Sequence, residues 1–322
     1  MPLIYAIFGL APLEHALDTE AEPAAMRAAA CGECHAAQYA DWSASRHASA
    51  HSNSIYQAGL AAEPQPFCVR CHAPLREQGE EVLRNLDWYQ SWGPHAEPGP
   101  APTFEAEDFA HEGVTCATCH LRGGTILTPT ETHALHPTRA APLRDPELCA
   151  ICHEFPFVSE GKYATSALMQ STFSEWRAWG GAETCQTCHM PGGRHLFRGA
   201  HDQAWLRQSV SVEVGRSTWT IRSVGVGHSL PTGDLFRHLT FEVERGGKWQ
   251  VKAWIGRTFR TVREGGLLTR VLDADTSLKP EVPLVIRGAP GRWRLVYHYG
   301  SATDEARGLV PIDDLVVILA EG

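Results

Sequence analysis

All ten cysteines of this 322-residue chain fall into five Cys-x-x-Cys pairs, and a histidine follows each pair at once. The motifs are Cys31, Cys34 and His35; Cys68, Cys71 and His72; Cys116, Cys119 and His120; Cys149, Cys152 and His153; and Cys185, Cys188 and His189. No cysteine is left over. Two thiols three residues apart reach the two vinyl groups of one porphyrin, and the next residue lowers its imidazole onto the iron from the same side. A disulfide framework would use the cysteines but gives no reason for the histidines. Structural zinc takes Cys-x-x-Cys pairs in twos, so five would strand one. A redox dithiol occurs singly, within a thioredoxin-like unit. Five covalently bound haem c groups are the reading that uses every residue of every motif.

That reading sets the compartment. Covalent haem attachment takes place on the outer side of the cytoplasmic membrane, so a periplasmic or otherwise extracytoplasmic location is expected, the cell surface included. Residues Pro2 to Leu13 are mostly apolar but lack the basic start of a secretory signal. Residues 1–25 are therefore read as a leader remnant and set aside. No apolar run reaches the length of a membrane span. The formal net charge of -9 disfavours nucleic acid as a partner. Ten propionates would make the assembled protein more acidic still, which suits basic patches on redox protein partners.

The texture of the chain changes near residue 205. Before it, Pro-, Gly- and Ala-rich stretches such as Gly93 to Pro102 and Pro129 to Pro146 punctuate the motifs. Short helices around each motif are expected, with one longer helix from Tyr163 to Trp179 that carries Met169, Phe173 and Trp176 on one face. In this half the porphyrins supply much of the apolar core. After residue 205 apolar and polar residues alternate over Ser209–Val214, Trp219–Val224, Leu239–Glu244, Trp249–Ile255, Trp293–Tyr299 and Leu315–Leu319. Gly246-Gly247, Gly265-Gly266 and Pro290-Gly291 mark turns between them. The expected class is α+β: a mainly helical, loop-rich multihaem domain over residues 26–204, then an antiparallel β-sandwich domain over 205–322.

Each haem also needs a decision about its second face. Of the 17 histidines, five belong to the motifs and twelve are candidates. His47 and His51 stand four apart after Trp42, one helical turn on, and His47 is preferred. His111 precedes Cys116 too closely to wrap around the haem of its own motif, so it is assigned to a neighbour. His133 and His136 lie between the third and fourth motifs, and His136, followed by Pro137, is the choice. His195 and His201 follow the fifth motif, and one of them ligates. His228 stands in Gly227-His-Ser-Leu-Pro-Thr-Gly233, where Gly225 and Gly227 allow close approach to a flat partner and Pro231 and Gly233 fix the turn. With His47, His111, His136 and one of His195 and His201, it completes five. His15, His238 and His298 are left as structural or solvated, and Met169 and Met190 as packing.

The run His111-Glu-Gly-Val-Thr-Cys116-Ala-Thr-Cys119-His120 resembles a motif of cytochrome c-554 and its multihaem relatives, among them the hydroxylamine oxidoreductases. So do Trp42 to His47, Gln170 to Trp176 and Cys185-Gln-Thr-Cys-His-Met-Pro191. The resemblance covers residues 31 to 201. It implies closely stacked haem pairs, largely bis-histidine ligation, electron transfer, and a distal-ligand role for His111. The segment from Gly227 to Asp234 resembles the start of a β-domain appended to some members. Cytochrome c-554 itself has four haems and lacks that domain.

The function expected is electron transfer between extracytoplasmic redox partners, with no catalytic residue assigned. One alternative is an oxidoreductase acting on a small nitrogen or sulfur compound at one open haem. The Cys-x-x-Cys-Lys attachment of ammonia-forming nitrite reductases is absent from the sequence. A second alternative is a protomer of a haem-conducting filament or other homo-oligomer.

Overall fold

The computed structural model describes residues 26–62, 66–85, 108–130, 136, 138–157, 167–181, 183–264, 267–301, 310–311 and 315–322. Residues 1–25, the Gly93–Pro102 stretch, His133, Pro137, the start of the expected 163–179 helix and the Gly265-Gly266 turn lie outside them. Helices and sheets are both present. The chain forms two compact units, Met1–Leu148 with Cys185–Arg198, and Cys149–Thr184 with Gly199–Gly322. This division differs from a single cut near 205: the fourth motif falls with the strands, and the fifth motif returns to the first unit.

The first unit is built from short helices: α1 (Ala28–Gly32), α2 (Ala36–Ser43), α3 (Ser54–Ala62), α4 (Pro66–His72), α5 (Arg76–Asn85) and α6 (Cys116–His120). All are shorter than the ~12–15 residues at which an isolated helix becomes even marginal in water. Side chains from distant parts of the sequence hold them instead. The Glu112 carboxylate accepts from the Ala28 N–H at 2.8 Å, capping α1, and pairs with Arg27 at 3.2 Å. Trp42 Nε1 donates to the Val114 carbonyl at 2.7 Å, and the Val114 N–H donates to the His47 carbonyl at 2.9 Å. Gly113 lies between them at φ +59, and a Cβ there would fall 2.5 Å from the His47 oxygen. The fully buried Gln78 accepts from the Leu75 N–H at 3.1 Å and donates to the carbonyls of Phe109 and Gly113 at 3.1 and 2.9 Å. Two small apolar clusters complete this framework: Met26, Leu75, Phe109, Ala117 and Leu121, and Val69, Ala73, Val82 and Ala110.

After α6, strands β1 (Leu121–Arg122) and β2 (Thr125–Thr128) form a hairpin, and β3 (Thr138–Ala140) adds in parallel to β2. The stretch read from its prolines as a loop, 129–146, thus contains a strand, because the edge of β2 offers a ladder that local composition does not reveal.

The second unit begins within α7 (Glu147–His153), which runs into β4 (Glu154–Pro156), antiparallel to β5 (Leu168–Ser171). Helix α8 (Thr172–Trp179) follows directly and ends at Gly180 with φ +106. The expected longer helix is shorter than its periodicity suggests. Leu168 to Ser171 pair with β4 instead, so Met169 is a strand residue and only Phe173 and Trp176 share the helix, their rings 5.4 Å apart. Glu154 anchors the α8 N-terminus, accepting from the Ser174 N–H and from its hydroxyl at 2.8 Å.

Beyond α9 (Cys185–His189), which belongs to the first unit, and α10 (Gln203–Gln208), the strands are β6 (Val210–Val214), β7 (Thr218–Ser223), β8 (His238–Arg245), β9 (Lys248–Glu264), β10 (Leu267–Asp275), β11 (Leu284–Arg287), β12 (Trp293–His298) and β13 (Val316–Glu321). They form two antiparallel sheets of order β10-β9-β8-β12-β13 and β11-β7-β6. The sheets meet through Trp219 and Phe241, ring centroids 5.3 Å apart. Leu239, Phe241, Val243 and Leu295 are wholly buried. Gly246 and Gly247 take φ +59 and +74, as a two-residue hairpin turn requires. All six strands expected from alternation are present; β10 and β11 add to them. The other face of β8 is also buried, because its polar residues have partners. Glu242 pairs with Arg294 at 2.7 Å, Thr240 bridges Glu242 and His298, and His238 stacks on His298.

Candidate haem sites

Four of the motifs lie on helices that end on the motif histidine: Cys68 and Cys71 on α4, Cys116 and Cys119 on α6, Cys149 and Cys152 on α7, and Cys185 and Cys188 on α9. One helical turn therefore sets the two thiols of each pair on the same side of the chain. In the first motif Cys31 closes α1, Cys34 lies in the following turn, and His35 precedes α2. All ten cysteines are free thiols, so no disulfide competes with attachment. Cys34 and Cys188 are exposed, and Cys31, Cys68, Cys71, Cys116, Cys119, Cys149, Cys152 and Cys185 are half-buried. Among the described residues no group of three or more His, Cys, Asp or Glu side chains is placed to hold a metal ion by itself. Neither Cys71, Cys152, Cys188 nor any other motif cysteine thus belongs to a ready-made metal cluster.

Three of the five motif histidines are held through Nδ1. His72 Nδ1 donates to the Ala50 carbonyl at 2.6 Å, His120 Nδ1 to the Leu127 carbonyl at 2.9 Å, and His189 Nδ1 to the Arg198 carbonyl. A proton fixed on Nδ1 leaves the Nε2 lone pair for a metal and sets the ring's orientation.

Two motif histidines have a second imidazole nearby. The His35 and His136 ring centroids are 6.3 Å apart, and those of His120 and His195 are 6.1 Å apart. A metal–imidazole bond of about 2.0 Å on each side, plus roughly 1 Å from nitrogen to ring centre, separates two axial imidazoles by roughly 6 Å. The ring planes of the two couples are tilted by 48° and 36°. Burial lowers the His120 pKa, and burial followed by the nearness of His120 lowers that of His195, which favours the neutral, ligating form.

The first and third motifs are neighbours. A hydrogen bond between the Cys31 and Cys116 thiols lowers Cys31 to about 7 and raises Cys116, which burial raises further.

Around the second motif, Tyr56 stacks on His72 with centroids 3.9 Å apart and planes at 12°. His51 is wholly buried, 5.3 Å from the Tyr56 ring. Its pKa falls to about 4, first through burial and then through His72 and His111 nearby. His51 is thus a site residue to which the sequence preference for His47 gave no role. The 44–52 segment forms successive turns, not a helix, so the four-residue spacing does not put the two histidines on one face. His47 instead lies against Phe197, ring centroids 4.3 Å apart.

His195 and His201, alternatives in the sequence, belong to different units. His201 stacks on Tyr299 at 4.4 Å, and the Tyr299 hydroxyl donates to the Ala200 carbonyl at 2.6 Å. His228 shares the second unit with the fourth motif. Its Nδ1 donates to the Ser229 carbonyl at 2.8 Å, which leaves the Nε2 lone pair available. The loop around it is held firmly. Gly227 abuts Trp179, where a Cβ would fall 2.7 Å from the indole, and Gly233 takes φ +94. Thr232 bonds Glu175 at 2.6 Å and Thr172 at 2.8 Å. The buried Arg257 donates to the carbonyls of Leu168, Met169 and Gly233 and to the Ser171 hydroxyl. The flat neighbour that Gly227 admits is therefore an indole. A continuous scaffold runs from His153 through Glu154 and α8 to this loop.

No family model matches the chain, and no curated protein matches it. Among solved structures, the chain is similar to a penta-heme cytochrome c552 from Thermochromatium tepidum, with a TM-score of 0.64 and 19% identity, over 93% of this chain and 99% of that one. The likeness is one of fold.

Proposed function

We propose that the chain is a pentahaem c-type cytochrome of the cytochrome c-554 and hydroxylamine oxidoreductase-related group, carrying electrons between extracytoplasmic redox proteins. The observation that carries this reading is the pair of imidazole couples, His35 with His136 and His120 with His195, at the spacing of two ligands on one iron. The fold likeness to a penta-heme cytochrome supports it. So do the Glu112 and Gly113 contacts, which give a physical reason for two residues of the His111-Glu-Gly-Val-Thr-Cys run.

In this reading the ten motif cysteines would hold five haem c groups through thioethers, and each would supply an iron able to take up and give back one electron. The pairs are Cys31 with Cys34, Cys68 with Cys71, Cys116 with Cys119, Cys149 with Cys152, and Cys185 with Cys188. The chain's own task is to hold ten imidazole nitrogens in place and keep other ligands out. His35, His72, His120, His153 and His189 hold the proximal faces. His136 serves the first haem and His195 the third. His111, beside the buried His51, serves the second. His228 serves the fourth. His47, against Phe197 and so near the Arg198–His189 bonds, serves the fifth, and His201 is then a packing residue. Segment 26–204 is the haem-bearing domain, and the two facing sheets are the β-sandwich that follows it.

Low-temperature EPR of the oxidised protein tests this. Every haem is expected to be low-spin. His228→Ala is expected to turn one haem high-spin and able to bind carbon monoxide when reduced. His111→Ala is expected to do the same at a haem other than the one on His120. A high-spin haem in the unmutated protein would favour an enzyme with an open iron instead.

A further inference from the structure

Residues 194–199 have no regular secondary structure, yet three of the proposed ligands depend on them. The His195 imidazole faces His120. Phe197 packs against His47 at 4.3 Å and stands edge-on to His195 at 5.9 Å. Arg198 exchanges two bonds with the fifth motif, its N–H donating to the His189 carbonyl at 3.3 Å and its carbonyl accepting from His189 Nδ1. Phe197 sits at φ +45, a strained conformation for a bulky residue that persists only where the surroundings impose it.

One buried side chain ties the start of this segment. Asp41, on α2, is 9% exposed. Its carboxylate accepts from Arg194 Nε at 3.1 Å, from the Arg194 terminal nitrogen, and from the His195 backbone N–H at 3.1 Å. Arg194 is 62% exposed in its side chain, so the ion pair alone is screened and adds little stability. The bond to the His195 N–H acts directly on the backbone that carries the ligand. A charge-assisted acceptor at that point fixes where the imidazole projects.

We infer that Asp41 is a positioning residue, the latch that holds the strap Arg194–Arg198 and so sets the sixth ligand of the third haem and the Nδ1 acceptor of the fifth haem's proximal histidine. The inference rests on the five-haem reading. It goes further in joining two haem sites to one carboxylate that is not itself a ligand.

The test is EPR and potentiometry on the full, haem-loaded protein, with His195→Ala identifying the third haem's signal. In Asp41→Ala the third haem is expected to lose its low-spin signal, so that high-spin iron rises to about one haem in five. A second low-spin signal, from the fifth haem, should shift without turning high-spin. Asp41→Asn keeps an acceptor for the His195 N–H and should keep the third haem low-spin while moving its potential. Arg194→Ala should shift the same signal less than Asp41→Ala does. If Asp41→Ala fails to mature, the asparagine and Arg194 variants decide, and both must move the third haem's signal. A loaded Asp41→Ala protein with five unchanged signals would overturn the latch, even if its melting temperature fell. Fewer than five haems in the unmutated protein would instead overturn the underlying reading.

Discussion

The two compact units reach order by different means. In the second unit the strands of the two sheets are continuous, their apolar residues alternate into a shared interior, and Leu239, Phe241, Val243, Ile255 and Leu295 are wholly buried. Such a region has its own core. In the first unit the helices are short and the apolar clusters small. What joins distant segments is a set of polar bonds: Glu112 to Ala28, Trp42 to Val114, Gln78 to Phe109 and Gly113, and Asp41 to His195. Polar bonds of this kind each contribute only about 0.5–1.5 kcal/mol net. They specify an arrangement more than they drive collapse. The difference teaches that the first unit leans on specific polar bonds where the sheets rely on burial, and under the proposed five-haem reading porphyrins would supply the apolar surface it lacks.

The contrast breaks most readily if haem is withheld. Protein made without thioether-forming maturation is expected to lose protease resistance throughout residues 26–148 while β6 to β13 stay protected. A first unit that resists protease without haem would refute the contrast.

A smaller effect sharpens it from the other side. Phe241→Ala removes a buried ring that touches both Trp219 and Trp293, at a cost of about 3–5 kcal/mol. Denaturant unfolding of the strands should show that loss, with the low-spin haem signals of the first unit unchanged.

The smallest effect is Gln78→Ala, which strips hydrogen-bond partners from Leu75, Phe109 and Gly113 for about 1–3 kcal/mol. Here stability and spectroscopy should move together, because Phe109 to Gly113 brackets His111. A stability loss with no spectral change would mean that the His111 turn is held by its other contacts.

These regions also differ in how far the sequence discloses them. Alternation reveals β6 to β9, β12 and β13 because one face of each strand must be apolar whatever surrounds it. Strand β11 is only four residues long, and β10 carries Arg270, Asp273 and Asp275 on an edge, so neither shows a clear pattern. The strand Leu168–Ser171 is hidden inside a helical periodicity, since pairing with β4 is a tertiary event. Among the candidate ligands, the motifs are legible because attachment chemistry dictates their spacing. His136 and His195 are candidates in the sequence, but their nearness to His35 and His120 appears only across space. His51 and Asp41 carry no local signature at all: one is defined by burial beside His72, the other by a contact with residues 194 and 195 far along the chain.

The five-haem claim itself is tested most directly by intact-mass measurement of the mature protein after denaturation. Thioether-linked haem survives denaturation, so the mass should equal that of the mature polypeptide plus five haems, one for each Cys-x-x-Cys-His motif. Four or fewer in fully matured protein would contradict the claim that every motif holds a haem.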